Sequence, residues 1–189
     1  MTAQQMGNGR ANALKGGERS ITVQVDCSAP AEVVWDVLAD LRTHAVWGGE
    51  RQKPRTRILS IEAPDGPAMV GTEFATTGAD PMGRFSDRSV VTEAMRPSTF
   101  EFVTEATLQT KKGKRADWTN VHRYELARTE KGCRISYIIR ITRISSLPGM
   151  LAIFNVPVLS GLALKGSAGV GRRGIRNLAA LAEERATAR

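Results

Sequence analysis

"ITVQVDCSAPAEVVWDVLADL", Ile21–Leu41, changes its hydrophobic period halfway along. Ile21, Val23 and Val25 alternate with Thr22, Gln24 and Asp26, which predicts a strand with one buried and one wet face. Beyond Pro30 the apolar residues Val33, Val34, Val37, Leu38 and Leu41 recur at helical spacing, with Glu32, Asp36 and Asp40 on another side. Ser28 is placed to cap the first free amides, Pro30 fits a first turn, and Glu32 suits the positive end of the helix dipole. "RTHAVWGG", Arg42–Gly49, then reads as a second short helix that carries Trp47 and stops at the glycine pair. A strand that runs into an amphipathic helix requires a sheet for that helix to cover.

The sheet is expected downstream. From Pro54 to Ser145 the period is two, and short turns ("PDGP", "GADPMG", "RPS", "TKKGKR", "RTEKG") separate the runs "RTRILSIEA", "AMVGTEFATT", "RFSDRSVVTEAM", "TFEFVTEATLQ", "ADWTNVHRYELA" and "CRISYIIRIT". With the first strand these make seven. The terminal "GRRGIRNLAALAEERATAR" carries a helical stripe of Ile175, Leu178, Leu181 and Ala182. The order is α+β, and the short turns exclude parallel βαβ winding. Residues 1–19 lack periodicity and read as a disordered leader, and 20–185 as one domain.

Side-chain chemistry assigns the faces. Phe100, Phe102, Ala106 and Leu108 point inward on one strand, and Cys133, Ile135, Tyr137, Ile139 and Ile141 on another. On "ADWTNVHRYELA" the inward set is Trp118, Asn120, His122, Tyr124 and Leu126, and four of these five carry a polar group. A lone inward histidine is an ordinary core residue with a satisfied ring. A cluster of such groups is different, because each unpartnered buried polar group costs about 1–3 kcal/mol, so a cavity holding water or ligand explains them better. Arg84, Asp87 and Arg88 of "GRFSDR" adjoin this region, but the alternation there does not say which side chains enter. The glycines of "GSAGVGRRG" follow no strand and lack the Lys-Ser/Thr pair of a phosphate loop.

The net charge of +8 is scattered over Arg51–Arg57, Lys111–Arg115 and Lys165–Arg176, with no nucleic-acid-binding motif, so nucleic acid is not an expected partner. Cys27 and Cys133 stand far apart in sequence, outside any CxxC pair; neither a disulfide framework nor a metal site is expected. The start of the chain has no apolar signal segment, and a cytoplasmic address is the expectation. "SSLPGMLAIFNVPVLSGLALKG", Ser145–Gly166, is nearly uncharged and long enough to span a bilayer, but Pro148 and Pro157 interrupt it. It reads as the approach to the last helix, and no transmembrane span is expected.

The run "ITVQVDCSAPAEVVWDVLADLRTHAVW", followed by "VGTEF", "VVTEAMRP" and "VHRYELARTEKGCRISYIIRI", resembles the START-like polyketide cyclase/dehydrase and lipid-transport superfamily, the helix-grip fold, over about Ser20–Glu184. The resemblance implies a strongly curved seven-stranded antiparallel sheet gripping a long C-terminal helix, two short helices after the first strand, and a hydrophobic cavity between sheet and helix. It implies a lipid-like or polyketide-like ligand, no cofactor, and walls formed by Phe100, Phe102, Trp118, Asn120, His122, Tyr124, Tyr137, Met150, Ile153, Phe154, Val158 and Leu162. Pro148 would lie near the helix start, and Pro157 at a kink or break. Members range from carriers through aromatic polyketide cyclases to co-chaperones, which leaves open whether the chain is an enzyme. In a cyclase or dehydratase His122 would move protons and Tyr124 orient a carbonyl. The basic surface would suit an acidic carrier protein or an anionic membrane.

Overall fold

A computed structural model describes residues 19–52, 56–146 and 157–188, with side chains at 20–52, 56–144 and 168–188. Strand β1 (Arg19–Cys27) leads to helix α1 (Ala31–Ala39), a 3₁₀ turn (Leu41–Thr43), helix α2 (His44–Trp47) and a second 3₁₀ turn (Glu50–Gln52). Six strands follow, β2 (Arg57–Glu62), β3 (Glu73–Ala79), β4 (Gly83–Met95), β5 (Thr99–Thr110), β6 (Arg115–Thr129) and β7 (Gly132–Ser146), and then helix α3 (Pro157–Thr187). All ladders are antiparallel, in the order β1-β7-β6-β5-β4-β3-β2. Each hairpin neighbour pairs with the next, and β1 closes the far edge on β7. Breaks in register fall within β2, at Val91/Glu93 of β4 and at two points near the start of β6, and such bulges bend a sheet.

The bend produces a concave face whose cross-strand rows can be read from the register. Val91, Phe102, His122 and Ile139 form one row, and Ala94, Phe100, Tyr124 and Tyr137 the next. On the other side lie Phe74, Ser89, Thr104 and Asn120, then Thr76, Asp87, Ala106 and Trp118, then Gly78, Phe85, Leu108 and Ala116. The inward sets expected for β5, β6 and β7 are therefore on one face.

Helix α1 buries Val33, Val34, Val37 and Leu38 against this sheet, while α3 packs on β1 and α1 through Ile175, Leu178 and Ala182. Burying each of these valine, leucine and isoleucine side chains contributes roughly 1.5–3 kcal/mol. The polar faces of the helices fix their placement. Arg51 binds Glu184 through both guanidinium nitrogens at 2.9 and 2.7 Å, and Arg185 reaches Asp40 at 3.4 Å.

Several expectations need correction. Ser28 does not cap α1: its backbone N–H and hydroxyl both donate to Glu183 Oε1, at 2.7 and 2.9 Å, so it anchors α3 instead. Residues 68–72 are not strand, because Ala68 donates to the Ala39 carbonyl at the end of α1 and leaves Met69 and Val70 exposed. Pro157 begins α3 rather than kinking it, where its missing N–H removes no helical bond. Cys27 and Cys133, remote in sequence, are register partners at the end of β1 and the start of β7, both buried as free thiols. Residues 1–18 lie outside the described residues, as do Pro148, Met150, Ile153 and Phe154; Val158 and Leu162 fall on the first turns of α3, where only backbone is described. No helix among the described residues is long and apolar enough to cross a membrane.

A candidate ligand cavity under the last helix

The aromatic rows are fixed from behind by the end of α1. A helix leaves its last carbonyls without partners. Here the Thr43 hydroxyl donates to Val37 O at 2.6 Å and His44 Nε2–H to Leu38 O at 2.9 Å, so the chain turns tightly and His44 and Trp47 face the sheet. Asn177 of α3 donates to Trp47 O at 3.0 Å and to Gln52 Oε1 at 3.2 Å, and Gln52 donates to Val170 O at 3.1 Å. These bonds hold α2 and the second 3₁₀ turn to α3.

Between them is a cavity of about 200 Å³. Among the described residues its walls are His44, Trp47 and Gln52, the β2 residues Arg57 and Ile58, and Phe74, Thr76, Phe85, Asp87, Ser89, Phe102, Thr104, His122, Tyr124 and Tyr137 of the concave face. Its roof is Val170, Gly171, Gly174 and Ile175 of α3. A Cβ on Gly171 would stand 3.2 Å from the Tyr137 ring, and one on Gly174 would stand 3.8 Å from Trp47. Of the glycines singled out in the sequence, Gly171 and Gly174 thus face the cavity, and Gly171 keeps clear of the Tyr137 ring.

The rings form a continuous array. Phe102 stacks on His122 at 4.8 Å and meets Phe74 edge-on at 5.2 Å, while Tyr124 stacks on Tyr137 at 4.8 Å and meets Trp47 edge-on at 6.3 Å. His122 Nδ1 and the Tyr137 hydroxyl are hydrogen-bonded at 2.7 Å. Burial pushes both tyrosine hydroxyls above their ordinary pKa. It holds His122 and His44 down at about 4, for His44 against the raising effects of the Leu38 carbonyl and of Asp40, so both rings are neutral near pH 7. The neutral His122 ring is thus tied to the Tyr137 hydroxyl, beside the Tyr124 ring.

Asp87 is the other chemical feature. Burial pushes its carboxyl up to about 7, against the lowering effect of the Thr76 hydroxyl. Its Oδ1 has no hydrogen-bond partner among the described residues, nor have Asn120 Oδ1 and Trp47 Nε1. Arg84 and Arg88 point to the outer face and are exposed, which resolves the ambiguity of "GRFSDR". The clue lay in its parity: Phe85, Asp87, Ser89 and Val91 share a face opposite the two arginines.

Of the expected wall residues, Phe102, His122, Tyr124 and Tyr137 line the cavity. Phe100 does not: it shares a row with Tyr124 and Tyr137 but is 0% exposed and packs edge-on against Trp35 of α1 at 6.2 Å. Trp118 lies at the far end with Phe85, Leu108 and Ala116, and Asn120 is buried beside Thr104; neither is among the lining residues. His44, Phe74 and Thr76 were not anticipated. No group of three or more potential metal ligands occurs among the described residues.

No protein-family model matches the sequence, and no curated protein matches it. Solved structures do. A structural-genomics protein from Rhizobium leguminosarum is 13% identical, with a TM-score of 0.63 over 89% of this chain and 96% of that one. The di-domain ARO/CYC StfQ from the steffimycin biosynthetic pathway is 14% identical, with a TM-score of 0.62 over 90% of this chain and 52% of that one. Ara h 8.0201 is 11% identical, with a TM-score of 0.55 over 88% and 98%. At these identities the likeness establishes the fold: an α+β helix-grip arrangement, with a seven-stranded antiparallel sheet and a long C-terminal helix.

Proposed function

We propose that the chain is a START-like binder of a compact hydrophobic molecule, held between the concave sheet and α3. The observation that supports this is the cavity itself, walled by stacked aromatic rings and roofed by two helix positions without side chains. Packed interiors leave few voids, and a space bounded by aromatic faces favours a flat apolar guest. Its volume lies below the roughly 300–1,000 Å³ of drug-sized sites, which suits a ligand on the order of ten non-hydrogen atoms.

Calorimetric titration with indole tests this. We expect binding with a Kd on the order of 0.1 mM. The Gly171→Leu variant should bind at least tenfold more weakly, since its side chain projects beside Tyr137 into the cavity. Absence of heat and of any rise in Tm with the wild-type protein, or equal binding by a folded G171L, would overturn the reading.

A further inference from the structure

We propose that Asp87 is the recognition point of this cavity and takes a hydrogen bond from an N–H or O–H group on the ligand. The inference rests on the small-molecule reading above and names the ligand class: an aromatic body with a donor at one end.

Asp87 faces inward from β4 between Phe85 and Ser89, opposite Thr76 on β3 and Ala106 on β5. The Phe85 ring lies over Gly78, where a Cβ would come within 1.9 Å of it, so the carboxyl has an aromatic neighbour on its own strand and Phe74 diagonally across. Elsewhere in the fold carboxylates of comparable exposure have arginines: Asp36 is bound by Arg96, and Glu101 by Arg123 and Arg140. Asp87 has no ion pair among the described residues, and its Oδ1 is buried without a partner. A buried carboxyl in that condition either keeps its proton or finds a donor. Burial raises the pKa of Asp87, which favours the first of these unless a donor is supplied.

Several polar side chains of the wall already have partners. His122 is already bonded to Tyr137, His44 to Leu38 O, and Ser89 to Thr104 at 2.9 Å. Arg57 also lines the cavity, from β2, and Asp87 is the one acidic side chain among the described lining residues. An ammonium would ionise the carboxyl and sit against flanking ring faces; a hydroxyl would be held by it in either protonation state.

Three near-isosteric probes test the assignment: 2-phenylethylamine, 2-phenylethanol and propylbenzene, titrated calorimetrically into wild-type protein and the variants Asp87→Leu and Asp87→Asn. In the wild type the alcohol, the amine or both should bind about tenfold more tightly than propylbenzene, the value of one buried hydrogen bond made rather than missed. D87L should reverse the order and tighten propylbenzene. D87N, which keeps an acceptor but cannot carry charge, should retain the alcohol and lose the amine, so the two donors are told apart. Equal binding of all three probes by the wild type, or an unchanged order in D87L, overturns the role of Asp87 while leaving the cavity reading standing. If propylbenzene also fails to bind the wild type, the cavity reading falls with it.

Discussion

His122 and Arg123 are neighbours on β6 and face opposite ways. Arg123, on the convex face, is met by Glu93, by Glu101 at 3.2 Å and by Glu125 at 2.8 Å, and these carboxylates hold its guanidinium firmly charged. His122, on the concave face, is stripped of charge by burial and stacked on Phe102. The same alternation thus builds two kinds of polar surface. On the outside, oppositely charged groups complete one another across strands. On the inside, Asp87 and Asn120 each keep an acceptor oxygen that no described residue fills. A sheet needing only stability would resemble its convex side on both faces or bury hydrocarbon on one; the unfilled acceptors beside the cavity are what the proposed ligand would meet.

If the convex face is self-completing, removing its central cation should cost most. Arg123→Leu leaves Glu93, Glu101 and Glu125 facing one another, and we expect a loss of about 2 kcal/mol in urea unfolding at pH 7, discounted from buried-pair values because Arg123 is 25% exposed. A loss under about 0.5 kcal/mol would mean that the outer network organises nothing.

The concave face should show the opposite sign. The Asp87 carboxyl titrates at about 7 when folded and at roughly 3.9 when unfolded. Between those values the unfolded chain releases the proton first, so stability falls as the pH rises from about 4 to about 7. D87N escapes this loss and should be more stable than wild type by about 1–2 kcal/mol at pH 8 and nearly equal to it at pH 4, the full linkage value being reduced by partial solvation. Paired urea titrations at the two pH values decide it; a D87N protein less stable at pH 8 would mean that an undetected partner satisfies the carboxylate.

The smallest change is expected within the aromatic array. Tyr137→Phe keeps the ring stacked on Tyr124 and deletes only the bond to His122, a loss of about 1 kcal/mol at neutral pH. The imidazole resonances of His122 should move in the NMR spectrum while those of His44, bonded to Leu38 O, stay in place. Equal movement of both would show that the tyrosine supports the whole array rather than one ring.

The sheet and the facing of its strands were legible because alternation is a local property: the parity of Phe100, Phe102 and Leu108, or of Tyr124 and Tyr137, can be read without knowing what lies opposite. What failed depended on distant partners. Ser28 looks like a cap until Glu183 arrives from the far end of the chain. Residues 68–70 look like strand until the Ala39 carbonyl claims the Ala68 amide. On β4 the bulge at Val91/Glu93 shifts parity midway, so no single alternation covers the strand and the direction of Asp87 was obscured. His44 was invisible for another reason: its place is set by the free carbonyl at the end of α1, which no side-chain pattern records.

The roof of the cavity has a further consequence. Space above the rings exists because α3 carries hydrogen atoms at 171 and 174 where other helices carry carbon. The capacity of the site is therefore graded in single methyl groups along one helix face, independently of the sheet below. A lineage could resize or close it by a substitution that itself favours the helix, since alanine is better than glycine there by about 1 kcal/mol. Intrinsic helix preference thus pulls toward a smaller chamber, and an open one persists only where something in the cell keeps using it.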